Sequence, residues 1–214
     1  MRSSAVRFAW ALWLACACAI ANAQTPPLAG REYLVLDPPR AVAPGGAIEV
    51  IEFFYYGCPV CYEAQPHVAR WLEAAGPDVA LRRVPSATTE SSESFARTYY
   101  ALEASGRLAE LHWPVYENHH FDDRRLNEES DLLAWLARNG VDAGEFRGLR
   151  DAAEIRARVA AGRAVFEAYN VRAVPVFAVD GRFLTSARLA GGVKEMMDVV
   201  AFLVERAREA RRVR

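Results

Sequence analysis

The chain has few cysteines, few histidines and almost no net charge. Its 214 residues include four cysteines and four histidines, and the formal net charge is −1. A charge so close to zero provides no electrostatic basis for binding nucleic acid. The sequence also lacks internal repeats and long low-complexity segments. What is present is an ordinary globular composition, 52% apolar and 25% charged, which predicts one or two domains with a sizeable core.

No apolar run reaches the length of a comfortable membrane span. Residues 8–20 are almost wholly apolar, but spanning a bilayer takes about 20 residues. Arg2 and Arg7 precede this run, and Ala21-Asn22-Ala23 follows it. This order is typical of a signal peptide with a small-x-small cleavage site. Residues 1–23 are therefore predicted to be a signal peptide, cleaved after Ala23. A retained membrane anchor is the alternative.

The predicted mature chain keeps only two cysteines. Cys16 and Cys18 lie inside the signal peptide, where the preceding residues fit a lipoprotein signal poorly. Cys58 and Cys61 are separated by two residues, so a disulfide between them closes a very small loop and gains little stability from chain entropy. In an exported protein, such a bond is a better candidate for a working disulfide than for a structural one.

These two cysteines stand where a strand is predicted to give way to a helix. Residues 48–55 are rich in β-branched and aromatic side chains and end just before Gly57. Pro59 suits a helix start, because its missing N–H would have no helical partner there. A cysteine at a helix N-terminus meets unpaired N–H groups and the positive end of the helix dipole, and both favour the thiolate. The pattern predicts a thiol–disulfide redox centre at Cys58 and Cys61.

The remaining pattern predicts an α/β fold with an all-helical insertion. A turn is predicted at Ala43-Pro44-Gly45-Gly46, ahead of the first long strand. A helix after Pro59 and a strand at residues 79–84 complete a β-α-β unit, which implies a parallel strand pair. Strand signals then vanish for about eighty residues, in which four or five helices are predicted. Residues 108–119 are expected to form a helical or loop piece that Pro114 interrupts.

The sheet is predicted to resume after the helices. Residues 174–179 are predicted to form a strand that meets a two-residue hairpin turn at Asp180-Gly181. A closing helix is expected from Val193 to about Ala207, with residues 206–214 as a solvated and frayed tail. The predicted division is a first part of the sheet domain at 24–88, a helical insertion domain at 89–170 and a second part of the sheet domain at 171–214.

Several motifs together resemble one protein family. Glu52-Phe53-Phe54 precedes Cys58-Pro59-Val60-Cys61, a helical insertion follows, and Val174-Pro175 comes before a late strand and a glycine hairpin. This combination resembles the bacterial DsbA family of thiol:disulfide interchange proteins, in the thioredoxin superfamily, over essentially the whole mature chain. The resemblance implies a thioredoxin-like fold, formed by residues 24–88 and 171–214 and interrupted by the helical domain.

The resemblance also implies roles and partners. Cys58 is expected to be the exposed nucleophile and Cys61 the buried resolving cysteine. Members of the family pass their disulfide to newly exported proteins in the periplasm through a mixed disulfide, and a membrane quinone reductase of the DsbB type reoxidises them. The expected partners are therefore reduced exported proteins and such a reductase, with no nucleic acid and no cofactor. The protein is expected to act as a monomer.

Three further residues are candidate parts of the site. Proteins of the superfamily keep a cis proline facing the disulfide, and Pro175 is expected in that role, with Val174 offering its backbone to a bound peptide. A trans proline at the start of an edge strand is the alternative. Glu52 lies in an otherwise apolar strand, where burial would raise its pKa and suit it to exchange a proton with Cys61. A solvent-facing glutamate is the alternative.

Two positions depart from the family pattern. The usual dipeptide between the cysteines is Pro-His, whereas here it is Pro59-Val60. The side chain of Val60 cannot place a donor or a positive charge beside Cys58, so the thiolate is expected to be less stabilised, and the protein less oxidising, than in relatives with histidine. Gln65 stands where many members carry a second buried acid, which leaves Glu52 more alone in the proton network.

The predicted function is that of an exported dithiol oxidase. A disulfide reductase or isomerase on the same scaffold is one alternative, and a copper or zinc carrier that uses the two cysteines as ligands is another. No metal site is predicted, because no cysteine or carboxylate cluster accompanies the histidines at ligand spacing. The histidines expected on ordinary surface are His67, His112, His119 and His120.

Overall fold

The computed structural model describes residues 25–42, 46–122 and 124–213. The predicted signal peptide, its cleavage site after Ala23 and most of the turn predicted at residues 43–46 lie outside the described residues. Within these three ranges, no helix combines the length and the apolarity needed to cross a membrane.

A five-stranded mixed sheet forms the centre of the fold. The strands are β1 Leu34–Val35, β2 Ile48–Phe54, β3 Val79–Pro85, β4 Val176–Val179 and β5 Phe183–Ser186. Their order across the sheet is β1-β5-β4-β2-β3. The pairing of β2 with β3 is parallel, as the β-α-β pattern predicts, and the other pairs are antiparallel. The hairpin predicted at Asp180-Gly181 joins β4 to β5.

Eight helices accompany the sheet in the described part of the chain. They are α1 Pro59–Ala74, α2 Glu90–Ala104, α3 Leu108–His120, α4 Glu129–Arg138, α5 Ala143–Arg150, α6 Ala153–Ala168, α7 Ala187–Ala190 and α8 Val193–Arg212. The run from α2 to α6 comes between β3 and β4, so the predicted α/β fold with a helical insertion is confirmed. The boundaries 24–88, 89–170 and 171–214 stay a prediction.

Strand β2 is buried along its whole length because apolar clusters cover both faces of the sheet. On one face, Val50 packs in a cluster with Trp71 of α1 and Leu203 of α8. On the other face, the ring of Phe53 meets that of Phe166 in α6, with the ring centroids 4.9 Å apart. Full burial of one such side chain stabilises a fold by about 1.5–3 kcal/mol. The C-terminal end of β2, where the cysteine motif begins, is therefore held firmly.

Helix α3 is continuous, so the interruption expected at Pro114 is wrong. Leu108–His120 forms one helix with Pro114 inside it. A proline removes only one helical N–H donor, while Leu111 and Val115 on either side are buried in the core of the helical segment. The side chain of Asn118 also donates a hydrogen bond to the carbonyl oxygen of Pro114 at 2.9 Å. Tertiary packing thus outweighs the local effect of the proline.

The C-terminal tail is ordered helix, and the expectation of a frayed end is wrong. Helix α8 extends to Arg212. Arg208 forms an ion pair with Asp78 at 2.7 Å, and Arg211 forms one with Asp180 at 2.5 Å. Both acids lie at the same end of the sheet, next to β3 and in the hairpin turn. The basic residues that looked like a solvated tail are therefore the contacts that fix the last turns of the helix.

Candidate active site

Cys58 is the N-cap residue of α1, directly after the turn that follows β2. Its Sγ accepts a hydrogen bond from the backbone N–H of Cys61 at 3.4 Å, and Pro59 begins the helix as predicted. Cys58 is half-buried, whereas Cys61 is fully buried. Both cysteines carry free thiols in the structure.

The pKa values of the two thiols are shifted in opposite directions. A hydrogen bond from the Cys61 thiol is the largest cause that lowers the pKa of Cys58 from its usual 9.0 to about 6. The backbone N–H groups of Cys61 and Val60 add to this effect, and burial opposes it. For Cys61, burial is the largest cause, and it raises the pKa of the thiol well above its usual value. Near neutral pH the site therefore holds a thiolate at Cys58 and a thiol at Cys61.

The chain segment before β4 lies against Cys58. The Val174–Pro175 bond is cis, as predicted, and the carbonyl oxygen of Val174 lies 3.6 Å from Cys58 Sγ. Pro175 leads into β4, which is an interior strand, so the alternative of a trans proline at an edge strand is wrong. The fold thus brings together a loop and a helix start that are 116 residues apart in sequence.

Glu52 is fully buried in β2 and has two partners, one of which the sequence analysis missed. Its Oε2 accepts a hydrogen bond from Nε of Arg83 at 2.8 Å, and its Oε1 accepts one from Nε2 of Gln65 at 2.7 Å. Gln65 also donates to the carbonyl oxygen of Cys61 at 3.3 Å. The alternative of a solvent-facing glutamate is wrong. The sequence predicted that the two strands are parallel, but only the structure shows the register that places Arg83 opposite Glu52.

A tyrosine covers the turn in front of Cys58. The hydroxyl group of Tyr55 shares a hydrogen bond with that of Ser91 in α2 at 2.8 Å. Its ring lies so close to Gly57 that a β-carbon at that position would collide with it. A larger residue at position 57 would therefore require the ring of Tyr55 to move. Between the two cysteines, the side chain of Val60 is apolar and 39% exposed. The surface next to Cys58 therefore carries no charge at this position.

Two of the four histidines do not lie on ordinary surface. His112 is packed among aromatic rings, with Nδ1 at 2.7 Å from the hydroxyl oxygen of Tyr56, and burial lowers its pKa well below the usual range. Nε2 of His120 lies 2.7 Å from the carbonyl oxygen of Tyr56. The expectation failed for these two residues because α3 packs against the end of β2, and no sequence pattern indicated which side of α3 is covered. The described residues include no cluster of three or more metal-binding side chains.

Known proteins share both the sequence and the fold. The model of the DSBA-like thioredoxin domain matches residues 49–197. The thiol:disulfide interchange protein DsbA of Azotobacter vinelandii is 30% identical over 181 residues, which is 85% of each chain. DsbA of Bordetella parapertussis is 35% identical over 161 residues, covering 75% of this chain and 77% of that protein. The crystal structure of Pseudomonas aeruginosa DsbA gives a TM-score of 0.82 at 30% identity, covering 87% of this chain and 97% of that one.

A mixed sheet with a cysteine pair at the start of its first long helix defines a thioredoxin-fold thiol:disulfide oxidoreductase. The domain model matches most of the chain, and the Azotobacter vinelandii protein is similar over 85% of its length. The chain therefore belongs to the DsbA family of these oxidoreductases. This membership favours a dithiol oxidase over the reductase, isomerase and metal-carrier alternatives.

We expect the reduced protein to gain stability between about pH 6 and pH 9 through ionisation of Cys58, whose pKa is lowered from 9.0 to about 6. A thiol with a lower pKa in the folded state contributes stability that is fully present above its unfolded pKa and is lost as the pH falls through its folded pKa. The thiol of Cys61, whose pKa is raised in the folded protein, acts in the opposite direction, but only as the pH approaches 9.0, where this thiol begins to ionise in the unfolded chain.

Urea unfolding of the reduced wild type and of Cys58→Ser at several pH values tests this expectation. The difference between their free energies of unfolding should grow in favour of the wild type as the pH rises. A difference that is constant from pH 6 to pH 9 would contradict a lowered pKa at Cys58.

Proposed function

We propose that this protein introduces disulfide bonds into exported proteins in the periplasm. The observation that carries the proposal is the pairing of a half-buried Cys58, with a pKa of about 6, and a buried Cys61 with a raised pKa. A stable thiolate favours the reduced form of the site, so the disulfide form accepts electrons readily from client thiols. Stabilisation of the reduced form is the general explanation for the oxidising strength of DsbA proteins.

The reaction passes through a mixed disulfide at Cys58. A client thiolate attacks the Sγ of Cys58 in the Cys58–Cys61 disulfide, forms a client–Cys58 bond and releases the sulfur of Cys61, which takes up a proton. A second client thiolate then attacks the client sulfur of the mixed disulfide and releases Cys58 as a thiolate. The client loses two electrons and gains a disulfide, and the enzyme becomes a dithiol. A low pKa suits Cys58 to be the leaving group in the second step.

Glu52 exchanges the proton of Cys61. Cys61 is fully buried, so the proton needs a path through polar groups. Gln65 contacts both the carboxylate of Glu52 and the backbone of Cys61. Arg83 reaches from the carboxylate to the surface, because its side chain is 22% exposed while that of Glu52 is completely buried. The carboxylate of Glu52 is the proton acceptor when Cys61 must lose its proton during reoxidation.

Val174 binds the client backbone next to the reacting sulfur. Its carbonyl oxygen lies 3.6 Å from Cys58 Sγ, and Pro175 alone separates the residue from β4. Pro175 has no N–H, so the backbone groups available to a client at this point belong to Val174. An extended client segment that places its cysteine over Cys58 can therefore pair with Val174 in the manner of an added strand.

Export and reoxidation complete the proposed cycle. Residues 1–23 act as the signal peptide, with cleavage after Ala23. A membrane quinone reductase of the DsbB type takes the electrons from the dithiol and restores the disulfide. The exchange steps need no bound cofactor, because electrons pass only between sulfur atoms. A single chain holds both cysteines and the segment around Val174, so the protein works as a monomer.

One equivalent of the oxidised wild type should convert a reduced peptide with two cysteines into its disulfide form, as followed by mass spectrometry. Cys58→Ser and Cys61→Ser should both lose this activity. Only Cys61→Ser should form a stable covalent adduct with a peptide whose single cysteine carries glutathione, because Cys58 is the attacking thiol and no resolving thiol is left. A cysteine pair found reduced in the periplasm of unstressed cells would contradict the direction of the reaction.

Glu52→Gln should slow the oxidation of the dithiol by about 100-fold, the lower end of what a positioned proton acceptor contributes. Stopped-flow measurement of thiol loss with glutathione disulfide gives the rate. Glu49→Gln is the matched control, because Glu49 is also a buried acid of β2 and pairs with Arg82 at 3.0 Å. If both variants slow the reaction equally, the effect belongs to the ion pairs of β2 and not to a proton relay.

Val60→His should lower the pKa of Cys58 below its value of about 6 and make the protein more oxidising. A shift of one pKa unit corresponds to about tenfold in the equilibrium constant with glutathione. Val60→Thr is the control, since threonine has the same shape without a cationic side chain. An unchanged glutathione equilibrium in Val60→His would show that the apolar residue between the cysteines does not limit the oxidising strength.

A further inference from the structure

His120 contacts the chain on both sides of the cysteine pair. Its Nε2 lies at 2.7 Å from the carbonyl oxygen of Tyr56, two residues before Cys58. Its ring also stacks on Tyr62, one residue after Cys61, with centroids 5.1 Å apart and an interplanar angle of 18°. The side chain of His120 thus contacts one residue before the cysteine pair and one residue after it.

His112 holds the same tyrosine through its side chain. Its Nδ1 lies 2.7 Å from the hydroxyl oxygen of Tyr56, which is completely buried. Burial raises the pKa of Tyr56, so the phenol keeps its proton and can donate it to Nδ1. His112 and His120 are eight residues apart on α3, which places them about two turns apart on one side of the helix. Helix α3 therefore contacts both the main chain and the side chain of Tyr56.

Tyr56 lies in the turn that leads from β2 to Cys58 at the start of α1. The backbone N–H of Cys58 donates to the carbonyl oxygen of Tyr55 at 3.0 Å, and this bond closes a turn with Tyr56 and Gly57 at its centre. The central peptide of such a turn can take two opposite orientations when glycine follows it, because glycine also accepts a positive φ. Gly57 does not have a positive φ in this structure. In this orientation the carbonyl oxygen of Tyr56 meets Nε2 of His120.

We propose that His120, assisted by His112, is a positioning residue for disulfide exchange: it fixes the Tyr56–Gly57 peptide and thereby the geometry in which Cys58 is held as a thiolate. The inference rests on the proposed function only in taking Cys58 as the reacting thiol. The coupling is physical and short, because the fixed peptide is followed directly by the N-cap residue. Stacking against Tyr62 orients the imidazole ring, so that Nε2 points at the carbonyl oxygen.

The test uses the thiolate absorbance of the reduced protein as a function of pH, together with the equilibrium with glutathione. His120→Leu removes the donor, whereas His120→Gln keeps an amide N–H close to the position of Nε2. We expect His120→Leu to raise the pKa of Cys58 by about half a unit, which is about threefold in the equilibrium constant. His120→Gln should restore most of this change. His67→Gln is the control, because His67 contacts the exposed Arg70 at 3.0 Å and not the turn.

Tyr56→Phe removes only the hydroxyl group that His112 binds and tests the second contact with little change in volume. In a double-mutant cycle with His112→Asn, the two substitutions should shift the pKa of Cys58 by less than the sum of their separate effects. Folding of each variant is checked by its unfolding transition, and Tyr56→Phe keeps the test available if His120→Leu does not fold.

A wild-type pKa and glutathione equilibrium in a folded His120→Leu would overturn the proposal. So would a shift of equal size in His67→Gln, or a failure of His120→Gln to restore the wild-type values. These readouts concern the cysteine pair alone and do not depend on clients. A protein that turns out not to oxidise client proteins would therefore refute the proposed function, while the pKa of Cys58 in the His120 variants would still decide the positioning role.

Discussion

The chemistry of this protein depends on where strand β2 ends. Both faces of β2 are buried, so its end is fixed, and the turn through Gly57 delivers Cys58 to the N-cap position of α1. There the sulfur meets the Cys61 thiol and the N–H groups of the first helical turn, which lower its pKa to about 6. One turn further into the helix, the same cysteine would find its neighbouring N–H groups already bonded to backbone carbonyl oxygens.

The same helix gives the two cysteines opposite properties. Cys58 is half-buried at the start of α1, and Cys61 lies three residues later on the side that faces the core. Burial keeps Cys61 protonated, and its thiol can then donate a hydrogen bond to the neighbouring thiolate. The low pKa of one cysteine is therefore partly a consequence of the high pKa of the other. This asymmetry separates a half-buried thiolate from a buried thiol within four residues of sequence.

Charges in the core of this protein lie close to the redox centre. A buried ion pair such as Glu52–Arg83 is poor support for stability, because removing two charges from water costs as much as their attraction returns. Its carboxylate is linked through Gln65 to the backbone of Cys61, which fits the proposed proton transfer. Gln65 is the neutral member of this group and hydrogen-bonds to the carboxylate. The helical segment adds the neutral imidazoles of His112 and His120, which contact Tyr56 ahead of the motif.

The sequence by itself determined the β-α-β unit, the cysteine pair at a helix start, the hairpin at Asp180-Gly181 and the cis proline ahead of β4, the last through its resemblance to a family. These features are set by residues close together in the chain, where turn chemistry and hydrophobic period act directly. Only the tertiary structure decided that Arg83 neutralises Glu52, that α3 supplies two histidines to the active-site turn, and that the basic end of α8 is ordered. Each of these outcomes depends on which distant surface covers a given side chain, and local patterns carry no information about that surface.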